Sequence, residues 1–190
     1  MPEVNILEDY PQPTEPRFVG RDMRTISHRI AAVKRDKHFF DGDRNFGYGG
    51  FKYDGRWVPI AERIIRHYKL ESSSRLLHLN CEKGFLLNDL KQLNPSLQAI
   101  GTETSDYAIT HAMKEIKGSI TKISSIKLPF PDNSFDLVIG LSYVYIHSLK
   151  GAIQALKEIA RVSTGDAFIT LATYETEEDY FLFKDWTLLG

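Results

Sequence analysis

Short apolar segments alternate with amphipathic ones through most of this 190-residue chain, and this alternation limits its fold more than any other feature. Residues 75–79, 97–103 and 135–141 have the composition of buried strands, and helical patterns stand between them. Residues 119–123 and 166–172 add two more strands. Strands that alternate with helices at this spacing form right-handed crossovers and a parallel sheet. The sequence therefore predicts an α/β domain with a mostly parallel sheet and helices on both faces.

The first 57 residues do not share this alternation. Prolines are frequent before residue 17 and favour an extended arm, whereas apolar residues at helical spacing predict a helix over residues 21–37. The apolar positions of that helix are Met23, Ile26, Ile30, Ala31 and Val33. Residues 39–57 contain five glycines and seven aromatic residues, which predicts a tightly folded loop with flat apolar faces. We expect residues 1–57 to form an arm, a helix and an aromatic, glycine-rich cap, and residues 58–190 to form one α/β domain.

A balanced charge and a single cysteine narrow the range of functions and locations. The chain carries 24 Lys and Arg against 25 Asp and Glu, so it has no global attraction to nucleic acid or to an anionic membrane. Cys81 alone cannot form an internal disulfide, and no apolar run is long enough to span a bilayer. The acidic start lacks the apolar region of a signal peptide. These observations predict a soluble cytoplasmic protein that binds neither nucleic acid nor membrane.

The turn after the first strand is a candidate ligand site on physical grounds alone. In open parallel sheets, ligands bind beyond the carboxyl ends of the strands, where glycine lets backbone N–H groups approach them. Gly84 lies in this turn, and Glu103 ends the second strand, where an acid accepts hydrogen bonds from both hydroxyls of a ribose. Together they indicate an adenosine-type cofactor. Taken alone, Glu103 is equally compatible with a solvated turn acid beside Thr104 and Ser105.

Three sequence blocks carry a family resemblance. They are RLLHLNCEKGFLL at residues 75–87, LPFPDNSFD at residues 128–136 and KEIARV at residues 157–162. These blocks resemble the class I S-adenosylmethionine-dependent methyltransferases, in particular the small-molecule, type 11-like branch, and the resemblance covers residues 58–173. It implies a Rossmann-like methyltransferase sheet, with S-adenosylmethionine as the cofactor.

The resemblance implies a cofactor site at the carboxyl end of the sheet. His78 stands where the family has an acid that orients the methionine amino group. Asn80 and Glu82 replace the first two loop glycines of the family, and Gly84 matches the third. Ser124 takes the place of the acid that contacts adenine. The implied cofactor-binding set is His78, Asn80, Glu82, Gly84, Glu103, Ser124 and Ser125. The side chain and charge of Glu82 oppose the carboxylate-bearing tail of the cofactor, so this loop is degenerate.

Methyl transfer asks little of the protein beyond alignment of the acceptor and, for a hydroxyl acceptor, a base. His147 is the candidate base, with Asp41 or Asp43 as alternatives. The residues expected to wall the substrate pocket are Tyr48, Tyr53, Trp57 and Tyr143. The aromatic loop equally suits a structural cover on the sheet edge. We expect His78 to be hydrogen-bonded at the end of its strand and Cys81 to be a small buried residue, and no histidine spacing indicates a metal site.

The end of the chain departs from the family pattern. The class I fold normally finishes with an antiparallel hairpin of sixth and seventh strands, whereas residues 174–190 read as one aromatic helix or tail. An uncovered fifth strand would meet another subunit or be capped by this tail. Two functions stay open. One is a methyltransferase acting on a small molecule or a glycan-pathway substrate. The other is a catalytically inactive methyltransferase-like protein that acts as a binding or scaffolding subunit.

Overall fold

Five parallel strands form the centre of the protein in the computed structural model, which describes residues 5–11 and 23–186. Their bounds are β1 Arg75–Leu79, β2 Gln98–Glu103, β3 Ile120–Lys122, β4 Phe135–Gly140 and β5 Ser163–Ile169. They stand side by side in the order β3-β2-β1-β4-β5, and every neighbouring pair is parallel. The Rossmann-like sheet predicted from the sequence is therefore confirmed.

Helices precede, connect and follow these strands. Their bounds are α1 Ile26–Lys34, α2 Lys37–Asp41, α3 Val58–His67, α4 Phe85–Leu93, α5 Asp106–Thr110, α6 Leu149–Val162 and α7 Glu177–Trp186, with a 3-10 turn at Lys117–Ser119. Serine caps begin two of them. Ser105 Oγ accepts from the N–H of Ala108 at 3.1 Å, and Ser148 Oγ accepts from the N–H of Gly151 at 3.4 Å. Within residues 5–11 and 23–186, we find no helix with the length and apolar character needed to cross a membrane.

Strand β1 shows how the sheet buries both of its faces. Successive side chains of a strand point to opposite faces, so Leu76 packs with α3 and α4, whereas Leu77 and Leu79 pack with α6. All three leucines are fully buried, and each such burial contributes about 1.5–3 kcal/mol to folding. His78 shares the face of Leu76 and lies near the carboxyl end of the strand. The layer formed with α3 and α4 and the layer formed with α6 thus fix the position of β1 between them.

The N-terminal helix is shorter than the sequence predicts. The face that it buries is not the predicted apolar face. Helix α1 ends at Lys34, Arg35 adopts a left-handed conformation with φ 48°, and α2 begins at Lys37. The expected apolar stripe is exposed, with 76 % of Ile26 and 68 % of Val33 accessible. The residues buried here include Ala32 and Arg35, because the guanidinium of Arg35 is paired with a buried carboxylate of the sheet. Residues 12–22, which include part of the predicted arm and helix, lie outside the described residues.

A second predicted helix is also too long. The pattern after Ser105 predicts a helix through Ile116, but α5 ends at Thr110. Beyond it, the N–H of Met113 donates to the carbonyl of Lys83 at 3.2 Å, and Ile116 is buried against Gly84. These contacts with the loop after β1 accompany the end of the helix at Thr110. Hydrophobic periodicity does not predict them, because they involve residues distant in the sequence.

The sheet ends at β5 in the described part of the chain. Residues 164–167 of this strand are exposed, so the described part of the C-terminal tail does not bury them. Helix α7 is instead linked to α1, where Arg29 Nη2 donates to the carbonyl of Lys184 at 3.1 Å. The expectation that the tail caps this edge is therefore wrong for the described residues. Contact with another subunit stays a prediction.

Candidate functional site

A cavity of about 240 Å³ lies at the carboxyl ends of β1 and β4. It is covered by the described residues that precede α3, 5–11 and 23–57, which are called the N-terminal cap below. Its polar wall consists of His78, Asn80, Glu82, Ser142 and Thr170. Its aromatic wall consists of Tyr10, Tyr48, Phe51, Trp57 and Phe85. The lining is completed by Leu7, Cys81, Leu86 and Leu141. The cavity is thus built jointly by the sheet and by residues that precede the α/β unit.

The loop after β1 has the backbone of a glycine loop although two of its residues are not glycine. Asn80, Glu82 and Gly84 all adopt the left-handed conformation, with φ of 54°, 57° and 77°. A Cβ on Gly84 would stand 2.3 Å from Cδ1 of Ile116, so this position favours glycine for packing as well as for conformation. The loop therefore keeps its shape while carrying the side chains of Asn80 and Glu82.

Glu103 ends β2 and is completely buried. One carboxylate oxygen accepts from the N–H groups of Thr104 at 2.7 Å and Ser105 at 2.8 Å. The other accepts from the N–H of Glu82 at 2.8 Å and lies 3.3 Å from Nη2 of Arg35. Charge-assisted hydrogen bonds of this kind are strong. The acid predicted to bind a ribose is therefore saturated by groups of its own chain, and it does not line the cavity.

Arg35 connects the cap to this acid. Its Nη2 lies 3.3 Å from Glu103 and 3.5 Å from Oε1 of Glu82. Its carbonyl accepts a hydrogen bond from Ser105 Oγ, which anchors the end of α1 on the β2 turn. Burial lowers the pKa of Arg35, but the charges of Glu103 and Glu82 outweigh burial and leave the pKa raised. Arg35 thus carries its positive charge between two carboxylates.

Glu82 points towards the cap, and its side chain is 15 % exposed. Tyr48 donates its hydroxyl to Oε1 of Glu82 at 2.6 Å, and Arg35 lies near the same oxygen. Burial raises the pKa of Glu82 to about 7, against the opposing effects of Arg35 and Tyr48. The carboxyl group is therefore balanced between its neutral and charged forms near neutral pH.

A second ion pair fastens the cap to the same loop. Lys83 is buried, and its Nζ lies 2.7 Å from Oδ2 of Asp41 and 2.8 Å from the carbonyl of Phe51. Tyr107 donates to the same Asp41 oxygen at 2.8 Å. Burial raises the pKa of Asp41, but the bonds from Lys83 and Tyr107 outweigh it and lower the pKa overall. Asp41, considered above as a base, is thus committed to holding the cap.

His78 and Cys81 are buried groups of the cavity wall. Burial lowers the pKa of His78 to about 4, so the imidazole is neutral at neutral pH. Its Nδ1 has no hydrogen-bond partner among the described residues, in contrast to the bonded strand residue expected from the sequence. Burial raises the pKa of the Cys81 thiol well above its usual range, so this cysteine is a poor nucleophile.

The remaining predicted site residues are dispersed. Tyr48 and Trp57 line the cavity, whereas Tyr53 donates its hydroxyl to Asp89 at 2.7 Å and lies outside the lining. Tyr143 and His147 form an edge contact with ring centroids 5.2 Å apart, and neither lines the cavity. Burial lowers the pKa of His147. Ser124 and Ser125 are exposed in the turn after β3, and Asp43 is exposed in the cap.

Sequence reasoning missed Arg35 and Tyr10, whereas Ser142 belongs to residues 142–147, the segment after strand four where the resemblance implies part of the substrate pocket. Arg35 is one of several basic residues in its segment, and no local pattern distinguishes it as a partner for a residue 68 positions away. Tyr10 belongs to a segment interpreted as an extended arm. Ser142 follows β4 with φ 51° and accepts from Tyr145 Oη at 2.6 Å. Its position after a buried strand is the one signal that the sequence offers. Within residues 5–11 and 23–186, no three His, Cys, Asp or Glu side chains are grouped to hold a metal ion.

The parallel sheet and the crevice at its carboxyl end define a protein with a Rossmann-like fold. Residues 77–170 match the family model described as "Methyltransferase domain". An uncharacterized methyltransferase of Schizosaccharomyces pombe is 28 % identical over 112 residues, which are 53 % of this chain and 40 % of that protein. The solved structure of the PH0226 protein of Pyrococcus horikoshii has 20 % identity and a TM-score of 0.51, covering 67 % of this chain and 57 % of that one. A methyltransferase from an antibiotic biosynthesis pathway of Anabaena variabilis, described as putative, has 21 % identity and a TM-score of 0.49, covering 67 % of this chain and 53 % of that one.

The family-model match and the similar methyltransferases support the class I S-adenosylmethionine-dependent methyltransferase family that the sequence blocks predict. The chain spans 40 % of the curated relative that it matches. S-adenosylmethionine is the cofactor of this family. The loop after β1 is left-handed at three positions, but Glu103 is saturated and the cavity is smaller than the roughly 300–1,000 Å³ typical of ligand sites. In this arrangement, both carboxylate oxygens of Glu103 are occupied by groups of its own chain rather than available to a ribose.

Proposed function

We propose that this protein is an S-adenosylmethionine-dependent methyltransferase that acts on a small molecule or a glycan-pathway substrate, and that the cofactor enters when the cap leaves Glu103. The observation that carries the proposal is the left-handed backbone at Asn80, Glu82 and Gly84. A non-glycine residue in this conformation costs about 1–2 kcal/mol, with asparagine tolerated best. A loop that keeps this shape against its own residue preferences supports a retained binding role.

Opening of the cap would expose Glu103, the acid predicted to bind a ribose. Arg35 would leave Glu103 and become hydrated. The N–H of Glu82, which also lies outside the β2 turn, donates to the same carboxylate oxygen. The family cofactor supplies an electrophilic methyl group when it is bound. The protein would then align the acceptor and, for a hydroxyl acceptor, provide a base, for which His147 is the proposed residue.

Calorimetric titration with S-adenosylmethionine and S-adenosylhomocysteine tests this proposal. We expect micromolar binding by the wild type. Arg35→Gln should bind about tenfold more tightly, because it removes the charge that competes for Glu103 and lowers the cost of opening. Glu82→Gly should also bind more tightly, because it removes the side chain and charge near the cofactor tail. Lys122→Ala, which removes an exposed ion pair with Asp106, is the matched control and should leave the affinity unchanged.

A second function, that of an inactive binding or scaffolding subunit, is favoured by one observation. Arg35 and Glu82 together fill the ribose end with a network of the chain's own side chains. Absence of binding by the wild type, Arg35→Gln and Glu82→Gly would overturn the enzyme proposal and favour this alternative. Binding by Glu82→Gly alone would identify Glu82 as the residue that closed the site.

A further inference from the structure

The cavity beneath the cap combines an aromatic wall with a single charged side chain. Of the fourteen described residues that line it, Glu82 is the one carboxyl group, none is Lys or Arg, and burial keeps His78 neutral. Arg35, the cationic partner of Glu82, is not part of the lining. A ligand in the cavity therefore meets the carboxyl group of Glu82 without meeting the guanidinium on its other side.

The charges around this wall leave an excess of one negative charge. Arg35 is shared between Glu82 and Glu103, so the three groups sum to −1 when Glu82 is ionised. The other cations near the aromatic wall have carboxylates of their own. Lys83 pairs with Asp41, and Arg56 pairs with Asp54. Burial of an uncompensated charge is costly, so a cation in the cavity would stabilise the ionised form of Glu82.

The aromatic wall is arranged in two packed groups. Tyr48 stacks on Phe51 with centroids 4.2 Å apart, and Phe51 stacks on Phe85 at 4.6 Å. On the other side, Tyr10 and Trp57 pack at 4.9 Å. Aromatic faces attract cations, and groups of them recognise quaternary ammonium ions, whose methyl groups also bury well against apolar surface. An aromatic wall beside one carboxylate has the composition of such a site.

We propose that this cavity binds a compact methylated ammonium ion, with Glu82 as its counter-charge and with Tyr10, Tyr48 and Trp57 against its methyl groups. A volume of about 240 Å³ suits a small cation better than a nucleoside. The unpartnered Nδ1 of His78 offers a hydrogen bond to a hydroxyl substituent of the ligand. The proposal does not require methyl transfer or an opened cap.

Choline and its uncharged carbon analogue, 3,3-dimethylbutan-1-ol, provide a direct test. They have nearly the same shape, so they separate recognition of charge from simple filling of an apolar cavity. Calorimetric titration of the wild type should show choline binding and binding of the analogue that is about tenfold weaker or more. Equal affinity for the two compounds, or no binding of choline, would overturn the proposal.

Variants identify the groups responsible. Glu82→Gln should weaken choline binding about tenfold and leave binding of the neutral analogue unchanged. Trp57→Leu should weaken choline binding as well. Phe46→Leu alters an aromatic side chain of the same segment that contacts His28 and His38 outside the cavity, and it is the matched control. Equal loss of both ligands in Glu82→Gln would indicate a structural role for Glu82 and contradict the proposal.

The pH dependence of binding gives an independent readout. The groups that face Glu82 are Arg35 from the end of α1, Tyr48 from the cap, Glu103 from β2 and the neighbouring Cys81. With a pKa of about 7, Glu82 is more ionised at pH 8 than at pH 6, so choline affinity should rise over this range. The rise should vanish in Glu82→Gln. A rise that persists in the variant would assign the titration to another group and remove Glu82 from the proposed site.

The result is separable from the proposed methyltransferase function. Choline binding without S-adenosylhomocysteine binding would overturn the enzyme proposal and support the cation site. S-adenosylhomocysteine binding without choline binding would do the reverse.

Discussion

The crevice at the carboxyl edge of the sheet is filled by side chains at its β2 end and contains a cavity at its β1 and β4 end. At the β2 end, Glu103 is saturated by Arg35 and three backbone N–H groups, and it does not line the cavity. At the β1 and β4 end, His78 has an unpartnered Nδ1 and Glu82 faces a cavity. Both ends belong to the same sheet edge and are covered by the same cap. The comparison shows that a cap can fill one half of a crevice with its own side chains while leaving a cavity in the other half.

The largest expected effect concerns the filled end. Arg35→Ala should lower the free energy of unfolding by about 3–5 kcal/mol, because it leaves Glu103 buried beside Glu82 without a cation. Unfolding by urea measures this loss. Combining Arg35→Ala with Glu103→Gln should restore part of the stability, because the buried charge is then absent.

Lys122→Ala is the control for this measurement. Its exposed pair with Asp106 should contribute less than about 1 kcal/mol. A loss of similar size in Arg35→Ala would mean that Glu103 is satisfied without the cap, and the contrast between the two ends would disappear.

The accessible end makes a prediction about acid stability. The pKa of His78 falls from 6.5 to about 4 on folding, so the unfolded chain binds more protons than the folded one between these values. The contribution of His78 to the free energy of unfolding should be fully present above pH 6.5. It should fall by about 3 kcal/mol as the pH is lowered towards 4.

Urea unfolding at several pH values measures this slope in the wild type and in His78→Leu. The variant should lack the contribution of His78. His111→Gln, which changes an exposed histidine, should retain it. If the pH dependence of stability is the same in His78→Leu as in the wild type, folding does not lower the pKa of His78.

The smallest expected effects concern the loop that both ends share. Gly84→Ala should cost about 2 kcal/mol, because alanine is strained at φ 77° and its Cβ would press on Ile116. Asn80→Gly should change the stability by less than about 0.5 kcal/mol, because asparagine tolerates φ 54° and glycine adds entropy to the unfolded chain. Similar effects of the two substitutions in thermal unfolding would show that the loop has no preferred conformation.

The strands and the loop position were predictable because they depend on local patterns. Short, nearly continuous apolar segments place β1 and β4 near their observed bounds, and Gly84 marks the turn between β1 and α4. The end of α5 and the break after α1 were not predictable, because each results from a long-range contact. Met113 bonds to Lys83, and Arg35 turns out of its helix to meet Glu103.

For the candidate site, the sequence located the residues but not their relations. It predicted Tyr48, Trp57, His78 and Glu82 near one another, and these residues line the cavity together. It also grouped Glu103, His147 and Tyr143 with them, yet these three lie outside the lining. The assignment of Glu103 to a ribose and of His147 to a base therefore stays a prediction that the binding experiments address.

By itself, the sequence determined a parallel α/β sheet of methyltransferase type, because the apolar periodicity and the sequence blocks that specify it are local. Only the tertiary structure decided which half of the crevice is occupied. That outcome depends on one arginine that lies 68 residues from its carboxylate in the chain and 3.3 Å from it in space. Burial makes such a pairing strong, and burial is a property of the folded chain rather than of any segment.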